Sequence, residues 1–287
     1  MMKQKILVTG SNGQLGKELR DIATHFPQYD FIFLGREDLP IHHFEMVRHY
    51  FSTYHPQYVI NCAAYTAVDR AEQEKDLAFQ VNGEAVGVLA AVCKEHHCRF
   101  IHISTDYVFD GNGTAPYKEE DAVSPVNTYG ASKLEGERQA MLLNPDSIII
   151  RTSWVYSVHG KNFVRTMLKL MAEKESINVV SDQAGSPTYA ADLAEAIMDI
   201  ISYNEWKPGI YHYSNEGNIT WFDFANAIKE ISGSQCVVNP IPTSSYPTPA
   251  KRPAYSVMDK TKITQAFGIG LKDWKDSLTQ MITCLSN

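Results

Sequence analysis

Short runs of β-branched and aliphatic residues alternate along the chain with stretches in which apolar positions recur every three to four residues, the pattern of strands alternating with helices. Strands are predicted at residues 5–9, 31–34, 58–62, 99–104 and 147–152, each short, apolar and bounded by turn-forming residues. Between them, residues 17–26, 40–55 and 71–97 read as helices, as does the segment carrying residues 129–133. Such alternation predicts an α/β fold built on a doubly wound parallel sheet. Beyond residue 155 the pattern becomes irregular, with helical periodicity at 162–173, 190–202, 221–231 and 274–285 around one clear strand at 177–180. The expectation is a main domain over residues 1–155, its sheet completed by later segments, and a smaller α/β lobe formed mainly by residues 156–287 and interleaved with it. Pro242, Pro247, Pro249 and Pro253 make residues 242–253 an extended loop.

Composition narrows this picture by exclusion. A chain of 287 residues with 44% hydrophobic and 21% charged residues is ordinary globular protein, able to bury about three quarters of its extended surface. A net charge of -7 without any Lys/Arg run argues against nucleic acid as a partner. No stretch approaches the apolar length of a membrane span, and no signal-peptide pattern precedes the first strand, so no membrane partner is expected. Cys62, Cys93, Cys98, Cys236 and Cys284 are scattered, odd in number and without a C-x-x-C pair, which disfavours a disulfide framework and a zinc site. A reduced, cytoplasmic protein is expected.

The candidate chemistry begins where the first strand runs into Gly10-Ser-Asn-Gly13-Gln-Leu-Gly16 and then a helix. Gly10 permits a tight turn, Gly13 lets backbone approach a pyrophosphate, and Gly16 lets the helix pack near the strand, with the helix amino terminus facing the phosphates. Residues 1–155 are therefore an expected Rossmann-type NAD(P)-binding domain, with Gly10, Asn12, Gly13, Gln14, Leu15 and Gly16 as candidate cofactor contacts. The G-x-x-G-x-x-G spacing looks like the short-chain dehydrogenase/reductase variant of the dinucleotide fingerprint. At the end of the second strand, where such a fold meets the adenosine ribose, stands Arg36, with Glu37, Asp38 and Leu39 beyond it. An arginine there pairs with a 2′-phosphate and favours NADPH; the neighbouring acids leave NADH open. Ala63, Ala64 and Tyr65 follow the third strand beside the expected cofactor site.

The fourth strand delivers Thr105, followed by Asp106 and Tyr107, to the sheet edge where catalytic groups of open α/β folds gather. Tyr129 and Lys133 lie four residues apart on one helical face, an ammonium beside a phenol that would lower the tyrosine pKa toward working pH. A phenol, a lysine and a strand-end hydroxyl suit proton transfer to an alcohol/ketone pair. Trp154 follows the fifth strand, where an indole either covers a sugar or base or belongs to the core, and Lys251 and Arg252 in the proline loop are candidates for an anionic substrate group.

Together, residues 10–16, Ser104-Thr-Asp-Tyr-Val-Phe-Asp-Gly111, Tyr-Gly-Ala-Ser-Lys at 129–133, Arg-Thr-Ser-Trp-Val-Tyr at 151–156, Asp-Gln-x-Gly-x-Pro-Thr at 182–188 and Tyr-Pro-Thr-Pro-Ala-x-Arg-Pro at 246–253 strongly resemble the dTDP-4-dehydrorhamnose reductase family. The resemblance implies hydride transfer from NADPH to the C4 carbonyl of dTDP-4-dehydro-L-rhamnose. It implies that Tyr129 protonates the C4 oxygen, that Lys133 holds the nicotinamide ribose and depresses the tyrosine pKa, and that Thr105 bonds the same oxygen. Val68, Asp106, Tyr107, Trp154 and Arg252 become the expected substrate contacts. Some reductases of that family hold magnesium at a dimer interface through glutamates; no matching set is found here, Glu18 being the single suspected position, so no metal is expected and a homodimer stays open. Two other readings compete. One is a dehydratase or epimerase of the same fold, disfavoured because Asp106 is followed by Tyr107 and not by a second carboxylate. The other is a non-catalytic NADP-binding regulatory subunit, disfavoured because Thr105, Tyr129 and Lys133 are all present.

Overall fold

Six parallel strands form the central sheet of the computed structural model, which describes residues 3–286. Met1, Met2 and Asn287 lie outside the described residues. Strand β1 (Gln4–Thr9) enters the glycine turn, and helix α1 (Gln14–Ile22) starts inside the motif, three residues before the expected position. The reason is Gly16, which sits on the backbone of Ser11 so closely that a Cβ would lie 2.5 Å from the Ser11 Cα. Next come β2 (Tyr29–Leu34), α2 (Phe44–Tyr54) and β3 (Tyr58–Asn61).

The single helix expected at residues 71–97 is broken up. Helix α3 (Val68–Ala71) is separate, and α4 (Lys75–Phe79) passes through a π-helical turn, Gln80–Glu84, into α5 (Ala85–Glu95). Contrary to the sequence expectation, residues 75–95 are long and apolar enough to cross a membrane by length and composition. Their apolar character has another cause: Ala85, Val86, Leu89, Val92 and Cys93 are fully buried against the sheet.

Strand β4 (Arg99–Thr105), helix α6 (Thr128–Leu143) and strand β5 (Ile148–Thr152) complete the expected alternation. The chain then makes β6 (Val155–Tyr156), α7 (Phe163–Glu173), β7 (Ser176–Val180), β8 (Ala184–Gly185), β9 (Thr188–Tyr189) and α8 (Ala190–Ser202). It continues through β10 (Gly209–His212), β11 (Ile219–Thr220), α9 (Trp221–Ser232), β12 (Val237–Ile241), α10 (Thr261–Phe267) and α11 (Trp274–Ser286). The main sheet runs β2-β1-β3-β4-β5-β10, every pairing parallel. Its direction of winding reverses between β1 and β3, and the crevice above that switch point is where open α/β sheets bind ligands.

The sixth strand, β10, has no counterpart among the predicted strands; it pairs with β5 from Gly209 opposite Ile148 to His212 opposite Arg151. Leu193, Ile197 and Ile201 of α8, Tyr211 of β10 and Ile263 and Phe267 of α10 share one core with Ile6, Val8, Leu15 and Leu19. The second half of the chain thus finishes the first half's core. A separate cluster built from α7, β7, α9, β12 and α11 includes Val164, Ile177, Phe224, Ile228 and Leu278 and forms the smaller lobe. The proline loop stays extended apart from a 3-10 turn at Thr243–Ser245, and it reaches back to the main sheet, where Asn127 Nδ2 donates to Lys251 O at 2.8 Å.

Helix α6 is seated by glycines. Asn127 caps its amino terminus, accepting the Gly130 N–H at 2.8 Å. A Cβ on Gly130 would lie 2.1 Å from the carbonyl oxygen of Tyr107, and one on Gly136 would lie 2.0 Å from that of Asn82 in the π-helical turn. In a free helix, Gly136→Ala would gain up to about 1 kcal/mol of helix propensity. Here the overlap falls on backbone and should cost about 1–3 kcal/mol or more, so urea unfolding of Gly136→Ala should show a lower midpoint than wild type. An unchanged or raised midpoint would mean that the helix does not lie this close.

Candidate active site

The carboxyl ends of β1, β3, β4 and β5 open into a cleft of about 760 Å³. At one end, Gly10 (φ +63°) turns the chain so tightly against β3 that a Cβ would sit 2.5 Å from Ala63 N. Helix α1 has neither a side-chain cap nor an acidic residue in its first turn, so its free N–H groups and partial positive charge face the cleft beside Gly13, Gln14 and Leu15. That suits an anion such as a pyrophosphate. Asn12, Arg36, Leu39, Ala63, Ala64 and Tyr65 also line the cleft. Two sequence candidates stand back from it: Gly16 packs α1 on Ser11, and the Asp38 carboxylate accepts the Gly35 N–H at 2.8 Å. A bare turn, an uncapped helix and an arginine at the β2 end together fit a dinucleotide carrying an extra phosphate.

At the other end, Thr105, Asp106, Tyr107, Tyr129 and Lys133 come together. The Thr105 hydroxyl donates to Asp106 Oδ1 at 3.0 Å, accepts the Tyr107 N–H at 3.2 Å and is hydrogen-bonded with the Tyr129 hydroxyl. The rings of Tyr107 and Tyr129 meet edge to face with centroids 5.6 Å apart. Lys133 is buried, its Nζ donating to Ile103 O at 2.6 Å and lying 3.2 Å from His102 Nε2. The expected depression of the tyrosine pKa does not occur. Burial pushes Tyr129 up to about 12 against the Thr105 hydrogen bond, and burial draws Lys133 down to about 8. Desolvation of the buried phenol outweighs the Thr105 hydrogen bond that favours its ionised form. The result leaves Tyr129 a phenol, loaded with its proton.

Val68 opens α3 at the cleft wall, and Trp154 faces it with φ +48°, a left-handed backbone costly for a bulky residue. The Trp154 indole is stacked on Trp221 at 3.6 Å and 12°, both rings lining the cleft. Trp221 was missed by sequence reasoning, because it reads only as the first residue of a helix 67 positions later, and no local signal joins the two. Arg252 does not line the cleft: its guanidinium is bound to Asp69 Oδ2 at 2.9 Å and to Ala250 O at 2.9 Å. Asn82 was also missed. It accepts the Tyr65 N–H at 2.8 Å and donates to Tyr65 O and Ser132 Oγ, each at 3.0 Å, tying the loop after β3 to α6. An asparagine inside an otherwise apolar helical stretch is the signal that the sequence offers.

The suspected metal position, Glu18, lies with Asp21 and His159 so that three ligand atoms fall within 4.8 Å of one another. Glu18 Oε1 accepts the Ser157 hydroxyl, and Asp21 Oδ2 is paired with His159 Nε2 at 2.6 Å. Two carboxylates and an imidazole already bonded in this way are a poor match for magnesium, which prefers oxygen ligands and near-octahedral geometry.

The profile described as the RmlD substrate binding domain matches residues 3–287. The chain is 43% identical over 284 residues to a dTDP-4-dehydrorhamnose reductase from Aggregatibacter actinomycetemcomitans, covering 96% of this chain and 97% of that protein. The chain belongs to the dTDP-4-dehydrorhamnose reductase family. It is also 45% identical over 279 residues to the spore coat polysaccharide biosynthesis protein SpsK of Bacillus subtilis strain 168, covering 97% and 96% of the two chains. Among solved structures, the dTDP-4-dehydrorhamnose reductase of Bacillus anthracis in complex with NADP matches with a TM-score of 0.95 at 37% identity, covering 98% of this chain and 99% of that one.

Within this family member, Asp106 is the acid most strained by its setting. It is 2% exposed, its Oδ2 has no hydrogen-bond partner among the described residues, and burial raises it to about 6 against the pull of the Ser256 and Thr105 hydroxyls. Because the folded value lies above the ordinary 3.8, the protein loses stability as pH rises through that window, by at most about 3 kcal/mol near neutrality. Asp106→Asn should therefore unfold at higher denaturant than wild type at about pH 7, with the gap closing toward about pH 4. A gap independent of pH would show that the carboxylate is not desolvated.

Proposed function

We propose that this protein reduces the C4 ketone of dTDP-4-dehydro-L-rhamnose to dTDP-L-rhamnose, using a reduced nicotinamide dinucleotide, in the biosynthesis of rhamnose-containing polysaccharide. The observation that carries the reading is the meeting of Thr105, Tyr129 and Lys133 at one end of a cleft whose other end is a glycine turn and an uncapped helix terminus. When bound, the reduced nicotinamide supplies the hydride. Tyr129, kept as a phenol by burial, gives its proton to the C4 oxygen, and the Thr105 hydroxyl bonds that oxygen as charge develops on it. With the cofactor bound, Lys133 would hold the nicotinamide ribose, Gly10, Asn12, Gly13, Gln14 and Leu15 would take the pyrophosphate, and Ala63, Ala64 and Tyr65 would line its flank. Asp106 Oδ2, an acceptor without a partner among the described residues, takes a sugar hydroxyl, and Val68, Tyr107 and the Trp154–Trp221 stack hold the sugar face.

Residues 156–287 supply most of the sugar-nucleotide lobe in this reading, and residues 1–155 the dinucleotide domain. Arg36 reads the 2′-phosphate and makes NADPH the preferred donor, supported by its place on the cleft and by Asp38 being bonded to Gly35 instead of facing the ribose. Five free thiols fit the cytoplasmic setting that the reading entails. Magnesium has no step in it.

Purified protein should oxidise NADPH when given dTDP-4-dehydro-L-rhamnose, and Tyr129→Phe should lower kcat by about 10²–10⁴-fold while cofactor affinity is kept. Undiminished turnover in Tyr129→Phe would remove the phenol from the mechanism. In Arg36→Ala, KM for NADPH should rise about tenfold or more and KM for NADH little; equal changes would reject the phosphate contact.

A further inference from the structure

Three neighbouring strands carry a buried polar row beneath the cleft. Thr9 is in register with Asn61, and Asn61 with His102, and all three are fully buried. The row has only one consistent arrangement of protons up to its last member. Asn61 Oδ1 accepts the Thr9 hydroxyl at 2.6 Å and the backbone N–H of Ala63 at 3.2 Å. A backbone N–H can only donate, so this end of the amide is oxygen. The NH2 end therefore faces His102 Nδ1, at 3.0 Å, and Nδ1 must be the bare, accepting nitrogen. Burial keeps the imidazole neutral, so its single proton sits on Nε2. That nitrogen lies 3.2 Å from Lys133 Nζ.

An N–H facing an ammonium is two donors and no acceptor, whereas an N–H facing a neutral amine is a hydrogen bond. We infer that Asn61, acting through the tautomer of His102, favours the amine form of Lys133 and makes its proton exchangeable at working pH. Asn61 and His102 are positioning residues, and the role rests on the ketone-reductase reading of the site. Of the other groups facing Lys133, Glu137 and Cys62 favour its charged form, and burial outweighs both. Glu137, one turn along α6, is held bidentate by Arg151 of β5, with Nε and Nη2 at 2.9 and 2.7 Å. Cys62, at the end of β3, stays a thiol, pushed up to about 12 by burial. Among the described residues, β4 contributes the Ile103 carbonyl and His102, and Tyr129, one turn earlier on α6, is a phenol.

Asn61→Asp reverses the constraint. Its carboxylate still accepts from Thr9 and Ala63 and also accepts an Nδ1–H, moving the imidazole proton away from Nε2 and freeing that nitrogen for an ammonium. Nitrogen NMR of the full-length protein labelled at histidine, with the His102 signal assigned by its loss in His102→Gln, should find the Nε2–H tautomer in wild type and the Nδ1–H tautomer in Asn61→Asp. Lysine side-chain NMR, with Lys133 assigned by its loss in Lys133→Met, should show its titration midpoint rising by about one pH unit or more in Asn61→Asp. An Nδ1–H tautomer in the wild type overturns the inference without recourse to any folded Asn61 variant, and so does a Lys133 midpoint unmoved by Asn61→Asp. Neither spectrum needs turnover, so absence of reduction with an intact Nε2–H tautomer counts against the reductase reading, and reduction with an Nδ1–H tautomer counts against this inference alone.

Discussion

The approach of α6 to its neighbours, closer than any Cβ would allow at Gly130 and Gly136, is the constraint on which the site depends. Gly130 lays the helix on the carbonyl of Tyr107, just past the end of β4, and Gly136 lays it on the carbonyl of Asn82. With two contact points the helix can neither slide nor rotate. Tyr129 is then fixed over the strand end beside Thr105, and Lys133 one turn later is fixed at the cleft floor. Further along, Glu137 accepts Ser104 Oγ and the Arg151 guanidinium, locking α6 to both β4 and β5. The π-helical turn belongs to the same arrangement: it presents Asn82 so that one side chain binds Ser132 of α6 and the backbone of Tyr65.

Once α6 is fixed, burial sets the chemistry of the groups it brings together. Tyr129 and Asp106 are raised and Lys133 and His102 lowered, in every case because desolvation disfavours the charged form. The site is thus a set of desolvated groups whose charged forms are each disfavoured relative to water. Such a site transfers protons with little rearrangement but gives up stability in the apo protein, most clearly at Asp106. The offset comes from the two apolar cores on either face of the sheet, one of which is finished by α8, β10 and α10 from the second half of the chain.

Local signals explain what could be read from sequence alone. The β1–glycine turn–α1 unit, Thr105 at the end of β4 and the helix bearing Tyr129 and Lys133 all declare themselves within a few residues, by periodicity and glycine placement. Elements defined by distant partners do not. Strand β10 is four residues whose identity as a strand comes from β5, 61 positions earlier in register. The break at residues 80–84 is a change of hydrogen-bond pitch that apolar periodicity does not record. Arg252 carries a plausible charge for substrate, yet Asp69 takes it in an ion pair spanning 183 positions. The phenol–ammonium reading of Tyr129 and Lys133 rested on spacing, and spacing does not report how deeply a lysine is buried or which tautomer of His102 meets it.

Hydride transfer to a carbonyl held under Tyr129 and Thr105 is the central claim, and the fate of one hydrogen tests it most directly. The protein is given dTDP-4-dehydro-L-rhamnose and NADPH carrying deuterium at the transferable position of the nicotinamide, in ordinary water, and the product sugar is read by NMR. The account predicts one deuterium at C4 for each NADPH oxidised and none at C3 or C5. Product with ordinary hydrogen at C4, or NADPH left unoxidised while the sugar is altered, would contradict it.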